Sequence, residues 1–232
     1  MDYLYASDEN YLRHAAASMV SLCEHQPAGA QVHIHLLDTG AKPESIAQLK
    51  ALVAGYGREL TVWPLGDLRR WFDFEIFAGG FTVSAMGRLL AGRVLPEEVH
   101  RVLYLDCDTI VLDDLSPLET LDMQGCPVGM VQEPTVNHKR LPVLGLPETS
   151  RYCNSGVLLM DLDRWRAEET EKTIFDYYRA KGAQLIAPDQ DALNGALPGH
   201  IYILPPRYNF GSVQIYYGYA AQKKMCAPAP FY

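Results

Sequence analysis

Apolar and polar positions along this chain follow two periods in turn. Tyr3 to Ala6 is a short apolar run with the character of a strand, and Ser7, Asp8 and Asn10 then open a helical pattern carried by Leu12, Ala15, Met19 and Leu22. A second strand, VHIHLLD from Val32, leads to a helix with Pro43 near its start and Ile46, Leu49, Leu52 and Val53 on one face, closed by Gly55 or Gly57. ELTVWPL from Glu59 alternates as a third strand, and a helical stretch runs from Ser84 to Leu95. Val102 to Leu105 is a continuous apolar run that suits a strand covered on both faces. Strands alternating with helices predict an α/β fold with a mostly parallel, helix-covered sheet.

Further along, PVGMVQE at 127–133 and SGVLLMDL at 155–162 read as strands. Between them, residues 134–151 hold Pro134, Pro142 and Pro147 without periodicity, which predicts a loop over the site edge; loops beyond about 12–15 residues are usually functional or disordered. One helix is expected from Asp163 to Lys181, with Trp165, Ile174, Phe175 and Tyr178 buried and Gly182 as its stop, and a shorter one, DQDALNGAL, after Pro188. Neither an internal repeat nor a linker is visible, so residues 1–232 are expected to form one domain.

Composition narrows the classes of partner. The net charge is −8 and the 20 Lys and Arg are scattered, so the electrostatic footprint of a nucleic-acid binder is missing. Five cysteines, at 23, 107, 126, 153 and 226, form neither an even set nor a CxxC pair, which fits a reducing cytoplasm better than a disulfide framework. The opening MDYLYASDENY has no basic or apolar leader character, and no 18-residue apolar stretch occurs, so the expectation is a cytoplasmic protein, at most peripheral to the inner face of a membrane.

The strongest chemical signal is RVLYLDCDTIVLDD at 101–114. On an extended chain, side chains two apart point the same way, so Asp106 and Asp108 are expected together past the strand's carboxyl end, where open α/β sheets bind ligands. Adjacent carboxylates repel unless a proton or cation lies between them. Hard oxygen ligands favour Mg²⁺ or Mn²⁺, whose remaining shell is commonly phosphate. The alternative is a solvated turn, since Asp is common there. Cys107 and Cys153 admit a nucleophilic reading, but small buried thiols without a neighbouring histidine are the commoner case.

Five stretches, ASDENY, FTVSAMGRLLAGRVLP, RVLYLDCDTIV, CNSGVLLMDLDRWR and APDQDALN, resemble in order and spacing the family 8 glycosyltransferases, which include glycogenins and bacterial lipopolysaccharide galactosyl- and glucosyltransferases. The likeness runs from about Asp2 to Phe210. It implies a GT-A fold, a Rossmann-like mixed sheet flanked by helices, and retaining hexosyl transfer to a saccharide or glycolipid acceptor, as in lipopolysaccharide biosynthesis. The donor implied is UDP-glucose or UDP-galactose. Asp106 and Asp108 match the family's DxD and would hold Mn²⁺ (or Mg²⁺). Donor binding falls by the same resemblance to Ala6, Asp8, Asn10, Arg88, Asp106, Cys107, Asp108, Asn154 and Ser155, with Gly156 letting the backbone come close. Asp189 and Gln190 match positions beside the sugar's reactive face. Structural alternatives stand beside these: helix caps for Asp8, Asn10 and Asp189, a surface arginine for Arg88, and a plain turn for CNSG.

The chain also departs from the pattern. Met86 stands where the family commonly has tyrosine, and after PPRYNFGS no HFxGxxKPW motif follows, so the family's metal-binding histidine has no match beyond His200. Truncation relative to the family, another ligand (His138 and His200 are the histidines to weigh) or weak donor binding would each account for this. Two other functions compete: a donor-binding pseudo-enzyme without turnover, and a haloacid-dehalogenase-type phosphatase, whose motif expects Thr or Val where Ile110 stands. Acceptor contacts are expected from residues 134–151 and 205–217, with Tyr208, Tyr216 and Tyr217 able to stack on a sugar.

Overall fold

On the first strand, β1 (Asp2–Ser7), Leu4 and Ala6 enter one hydrophobic cluster and Tyr3 and Tyr5 the other, so the sheet is buried on both faces from its first residues. The computed structural model describes residues 1–27, 29–76, 83–216, 218 and 220–221. After β1 come α1 (Leu12–His25), β2 (His33–Asp38), α2 (Pro43–Gly55), β3 (Glu59–Pro64), α3 (Ala91–Val94) and β4 (Arg101–Leu105). Then follow β5 (Val128–Gln132), β6 (Cys153–Asp161), α4 (Leu162–Ala167), α5 (Thr170–Lys181), α6 (Pro188–Ala196) and β7 (Ile201–Leu204). The strands form one seven-stranded sheet in the order β3-β2-β1-β4-β6-β5-β7.

All strand pairs are parallel except those of β6, which runs antiparallel to both β4 and β5. The sheet is therefore mixed. Its reversal matters for the site, because the amino end of β6 arrives beside the carboxyl ends of β1, β4, β5 and β7.

Several expectations need correction. The helix expected over 163–181 is two helices, α4 and α5, broken where Glu169 adopts a left-handed backbone (φ 51°). Both halves bury the anticipated residues, Trp165 on α4 and Ile174, Phe175 and Tyr178 on α5, so the apolar period carries no trace of the break. Residues 83–90 are 3₁₀ rather than α-helical, passing into the single turn of α3. Leu52 is exposed, and the buried face of α2 is Leu49 and Val53. Asp8 accepts from Tyr11 N (3.1 Å), so it supports the turn before α1 rather than capping the helix, and Asn10 is exposed. Residues 134–151 are not a featureless loop: His138–Leu144 is a 3₁₀ segment that buries Leu141 and Leu144. β7, four residues long and stopped by Pro205, gives too short a pattern to be read from sequence.

At the sheet edge away from the DxD, Asp2, His33 and His35 converge. His35 is buried, its Nδ1 accepts from Trp63 Nε1 (3.2 Å), and its Nε2 lies 2.9 Å from Asp2 Oδ1. His33 Nδ1 is 3.4 Å from the same oxygen. Three metal-type ligands thus meet, yet a metal-binding histidine normally donates its second ring N–H, and here that nitrogen faces an indole donor. The trio is a hydrogen-bonded clamp between β1, β2 and β3.

Burial opposes the Asp2 charge, but the hydrogen bond from His35 and the two imidazoles outweigh it and lower the carboxyl below its ordinary range. The ionised form therefore stabilises the fold above about pH 4, and that contribution disappears as pH falls through the lowered native value. Asp2→Asn is expected to cost about 1 kcal/mol at neutral pH, with the difference from wild type closing in acid. Urea titrations across pH check this, and a difference independent of pH would contradict it.

Candidate active site

The site is built where β4 ends. Asp106 N donates to Gly156 O (2.8 Å), while Thr109 N and Oγ1 donate back to Asp106 O at 3.2 and 2.8 Å. The chain therefore turns over 106–109, and the expectation that Asp106 and Asp108 share a face by extended alternation is wrong. The turn divides their environments: the Asp106 side chain is 31% exposed, whereas Asp108 is exposed. The two still feel each other, since Asp108 is among the charges that raise the Asp106 pKa.

Arg88 organises the floor. It comes from the 3₁₀ segment Val83–Leu90 and is only 3% exposed, which rules out a surface role. Nε donates to Ala85 O (2.7 Å) and lies 3.3 Å from Asp189 Oδ2. One terminal nitrogen donates to Ser155 O, the other to Asp106 Oδ1 (2.7 Å), and the guanidinium lies 4.5 Å from the centre of the Tyr104 ring. Burial opposes the charge, but Asp106 and Asp189 more than offset it and raise the Arg88 pKa.

Asp106 is pushed up by burial, with Arg88 pulling the other way. Its Oδ1 takes Arg88 and the Tyr104 hydroxyl (2.8 Å). Its Oδ2 has no hydrogen-bond partner among the described residues and faces Gly156, where a Cβ would stand 2.9 Å away. The missing side chain keeps that oxygen accessible. Asp108 also makes no hydrogen bond or ion pair among the described residues. Two carboxylates on one turn, each with an oxygen that no described residue holds, are ligands of the kind a hard divalent cation takes.

CNSG is strand rather than turn. Cys153–Gly156 opens β6, and a register shift between Met130 and Val131 sets Asn154 opposite Val131. Asn154 Oδ1 accepts from Gly156 N (2.7 Å) and Asn209 Nδ2 (2.8 Å), and its Nδ2 donates to Glu133 Oε2 (2.9 Å). Ser155 Oγ donates to Asp189 Oδ2 (2.9 Å), and Ser155 N to Gln190 Oε1 (3.0 Å). The structure thus gathers Arg88, Asp106, Asn154, Ser155, Asp189 and Gln190. Ala6 joins through its carbonyl, which accepts from Cys107 Sγ (3.3 Å).

Burial pushes the Cys107 and Cys153 thiols up to about 12, so both are packing groups and not nucleophiles. His138 is exposed and bonded to Glu148 O (2.9 Å), while His200 precedes β7 and lies at the opposite sheet edge. Met86 is buried in the core. Tyr208 is partly buried, Tyr216 is exposed, and Tyr217 lies outside the described residues, as do the first two residues of FTVSAMGRLLAGRVLP.

Sequence reasoning missed Tyr104, Glu133, Asn194 and Asn209. Glu133 was findable, because it is the last residue of the strand predicted over 127–133. Asn194, which pairs its amide with both backbone groups of Cys153 (2.7 and 2.8 Å), stands one helical turn after Gln190.

The chain is similar in sequence and in fold to known proteins. The model of Glycosyl transferase family 8 matches residues 3–228. General stress protein A of Bacillus subtilis is 27% identical over 212 residues, covering 90% of this chain and 73% of that protein. A lipopolysaccharide 1,2-glucosyltransferase of Escherichia coli is 35% identical over 125 residues, 53% of this chain and 37% of the relative. Among solved structures, galactosyltransferase LgtC with donor and acceptor sugar analogs superposes with a TM-score of 0.82 at 24% identity, over 99% of this chain and 84% of that one.

Gly156 provides a direct test of the site. In Gly156→Ala the new methyl collides with Asp106 Oδ2 and Asn154 Oδ1, each 2.9 Å from its position. Overpacking costs about 1–3 kcal/mol, and where displacement of the Asp106 carboxylate relieves the clash, that cost is read as about a fivefold to 150-fold loss of Mn²⁺ affinity. Mn²⁺ titration monitored by electron paramagnetic resonance checks it, with circular dichroism showing that the variant folds.

Proposed function

The chain belongs to glycosyl transferase family 8, and on that premise we propose that it is a metal-dependent, retaining hexosyltransferase using UDP-glucose or UDP-galactose. Glycosyl transfer is the family's reaction class. The observation that carries the finer reading is the Asp106 carboxylate, one oxygen held by Arg88 and Tyr104 and the other left open beside Gly156.

In this reading Asp106 and Asp108 hold Mn²⁺ or Mg²⁺, and the bound ion supplies Lewis-acid stabilisation of the departing diphosphate. Ala6, at the carboxyl end of β1, and Asp8 and Asn10, just beyond it, line the nucleotide side. Asn154, Ser155 and Cys107 form the wall against the donor. Arg88 fixes Asp106 and Asp189 relative to one another. Asp189 and Gln190 face the reactive carbon.

Retention without a covalent intermediate suits these groups. Asp189 Oδ2 is engaged by Ser155 Oγ and Arg88 Nε, at 2.9 and 3.3 Å, which dulls it as a nucleophile, and the Gln190 amide is a poor one. The glycosyl–phosphate bond breaks and the acceptor oxygen bonds to the same face of the sugar carbon, its proton passing to the departing phosphate oxygen. A saccharide or glycolipid acceptor fits the kinship with lipopolysaccharide glucosyltransferases, and the reaction would then take place at the cytoplasmic face of a membrane. No helix among the described residues is long and apolar enough to cross one.

Calorimetric titration of UDP with and without Mn²⁺ tests the donor site. Binding is expected to need the metal and to weaken at least about tenfold, or about 1.4 kcal/mol, in Asp106→Asn. UDP-glucose and UDP-galactose hydrolysis then reports turnover. Metal-independent binding that survives the substitution contradicts the reading, and metal-dependent binding without any turnover identifies a pseudo-enzyme.

A further inference from the structure

Behind the donor wall, Gln190 continues into a hydrogen-bond chain whose inner members, Tyr152 and Asp191, have no role above. Asp191, on the first turn of α6, has no exposed surface, and every partner of its carboxylate donates. Its Oδ2 accepts from Ile186 N (2.8 Å), Ala187 N (3.2 Å) and an Arg140 guanidinium nitrogen (3.2 Å). Its Oδ1 accepts the hydroxyl proton of Tyr152, itself 5% exposed. Burial, reinforced by Asp191, holds the Tyr152 phenol well above its ordinary pKa, so the proton stays on it.

A phenol has one proton to give. With that proton committed to Asp191, the Tyr152 oxygen can only accept on its other side, where Gln190 Nε2 lies 3.3 Å away. The Gln190 amide is thereby oriented: nitrogen toward Tyr152, oxygen toward Ser155 N at 3.0 Å. The order is directional throughout, from Ser155 N–H to Gln190 to Tyr152 to Asp191. Among the described residues, neither Asp191 nor Tyr152 forms a hydrogen bond or ion pair with Arg88 or Asp106.

We propose that Tyr152 and Asp191 are positioning residues for sugar transfer, fixing which end of the Gln190 amide faces the donor sugar. This rests on the transferase reading given above. The amide oxygen, held by Ser155 N–H and 3.5 Å from Ser155 Oγ, is then the end kept at the floor where positive charge develops on the sugar during departure of the diphosphate, and electrostatic preorganisation of this kind acts on the transition state more than on binding.

The polarity can be reversed with almost no change of shape. In Asp191→Asn the amide oxygen is needed by Ile186 N, Ala187 N and Arg140, so the new NH₂ faces Tyr152. The phenol must then accept from residue 191 and turn its own proton toward Gln190. Gln190 can receive that proton only by flipping, which sets its nitrogen against Ser155 N–H.

The test uses the full chain with Mn²⁺ and a UDP-sugar, comparing wild type, Asp191→Asn, Tyr152→Phe and the double variant. Each single variant is expected to lower kcat at least about tenfold, with donor KM changed less than about threefold, and the double variant is expected to be no worse than the weaker single. Additive losses, or losses confined to KM or to the folded fraction, overturn the proposal. A second readout does not depend on turnover: the ¹⁵N-labelled side-chain amide of Gln190, identified by its disappearance in Gln190→Glu. Its signals should shift and exchange at least about tenfold faster in both single variants. An unchanged Gln190 amide overturns the proposal even if wild type proves inactive, an outcome that would separately defeat the transferase reading.

Discussion

The structure depends on one buried guanidinium. Arg88, almost wholly withdrawn from water, cannot stay charged in the interior without partners, and two carboxylates, Asp106 and Asp189, supply them. Stranding such a charge by removing one partner costs several kcal/mol, so the end of β4, the start of β6 and the start of α6 must all arrive at the same place. Lysine could not substitute, because it lacks the planar fork that reaches Asp106, Ser155 O and Ala85 O together.

That requirement explains the odd strand. Were β6 parallel to its neighbours, Ser155 and Asn154 would lie at the far edge of the sheet, away from Asp106. The reversal brings them in, and the register shift on β5 sets Asn154 opposite Val131, next to Glu133. Two carboxylates share one guanidinium, and Asp108 adds a third carboxylate with no partner among the described residues. The surplus negative charge and the open Oδ2 are what support the proposal of a cation and, through it, a diphosphate at this edge.

Much of this was legible in the sequence. The period of apolar residues located six of seven strands, and the aspartates after Leu105 marked the ligand edge. What the sequence hid was geometric. A left-handed Glu169 interrupts a helix without disturbing its apolar face, and a 3₁₀ segment carries Arg88 inward where an α-helical reading allowed it to point outward. The turn at 106–109 gives Asp106 and Asp108 unequal burial, although their spacing suggests equivalence. Tyr104 reads as part of an apolar run, because nothing local reveals that its hydroxyl reaches Asp106. Asn209 joins the site through a contact 55 residues away in the chain, a distance no local pattern spans.

The central claim is that Arg88 keeps Asp106 Oδ1 and leaves Oδ2 for the metal. Anomalous scattering from crystals grown with Mn²⁺ and UDP tests it most directly. The account predicts a manganese peak beside Asp106 Oδ2, with the Arg88 bond to Oδ1 intact. A peak away from Asp106, or manganese bridging both oxygens with Arg88 displaced, would contradict it.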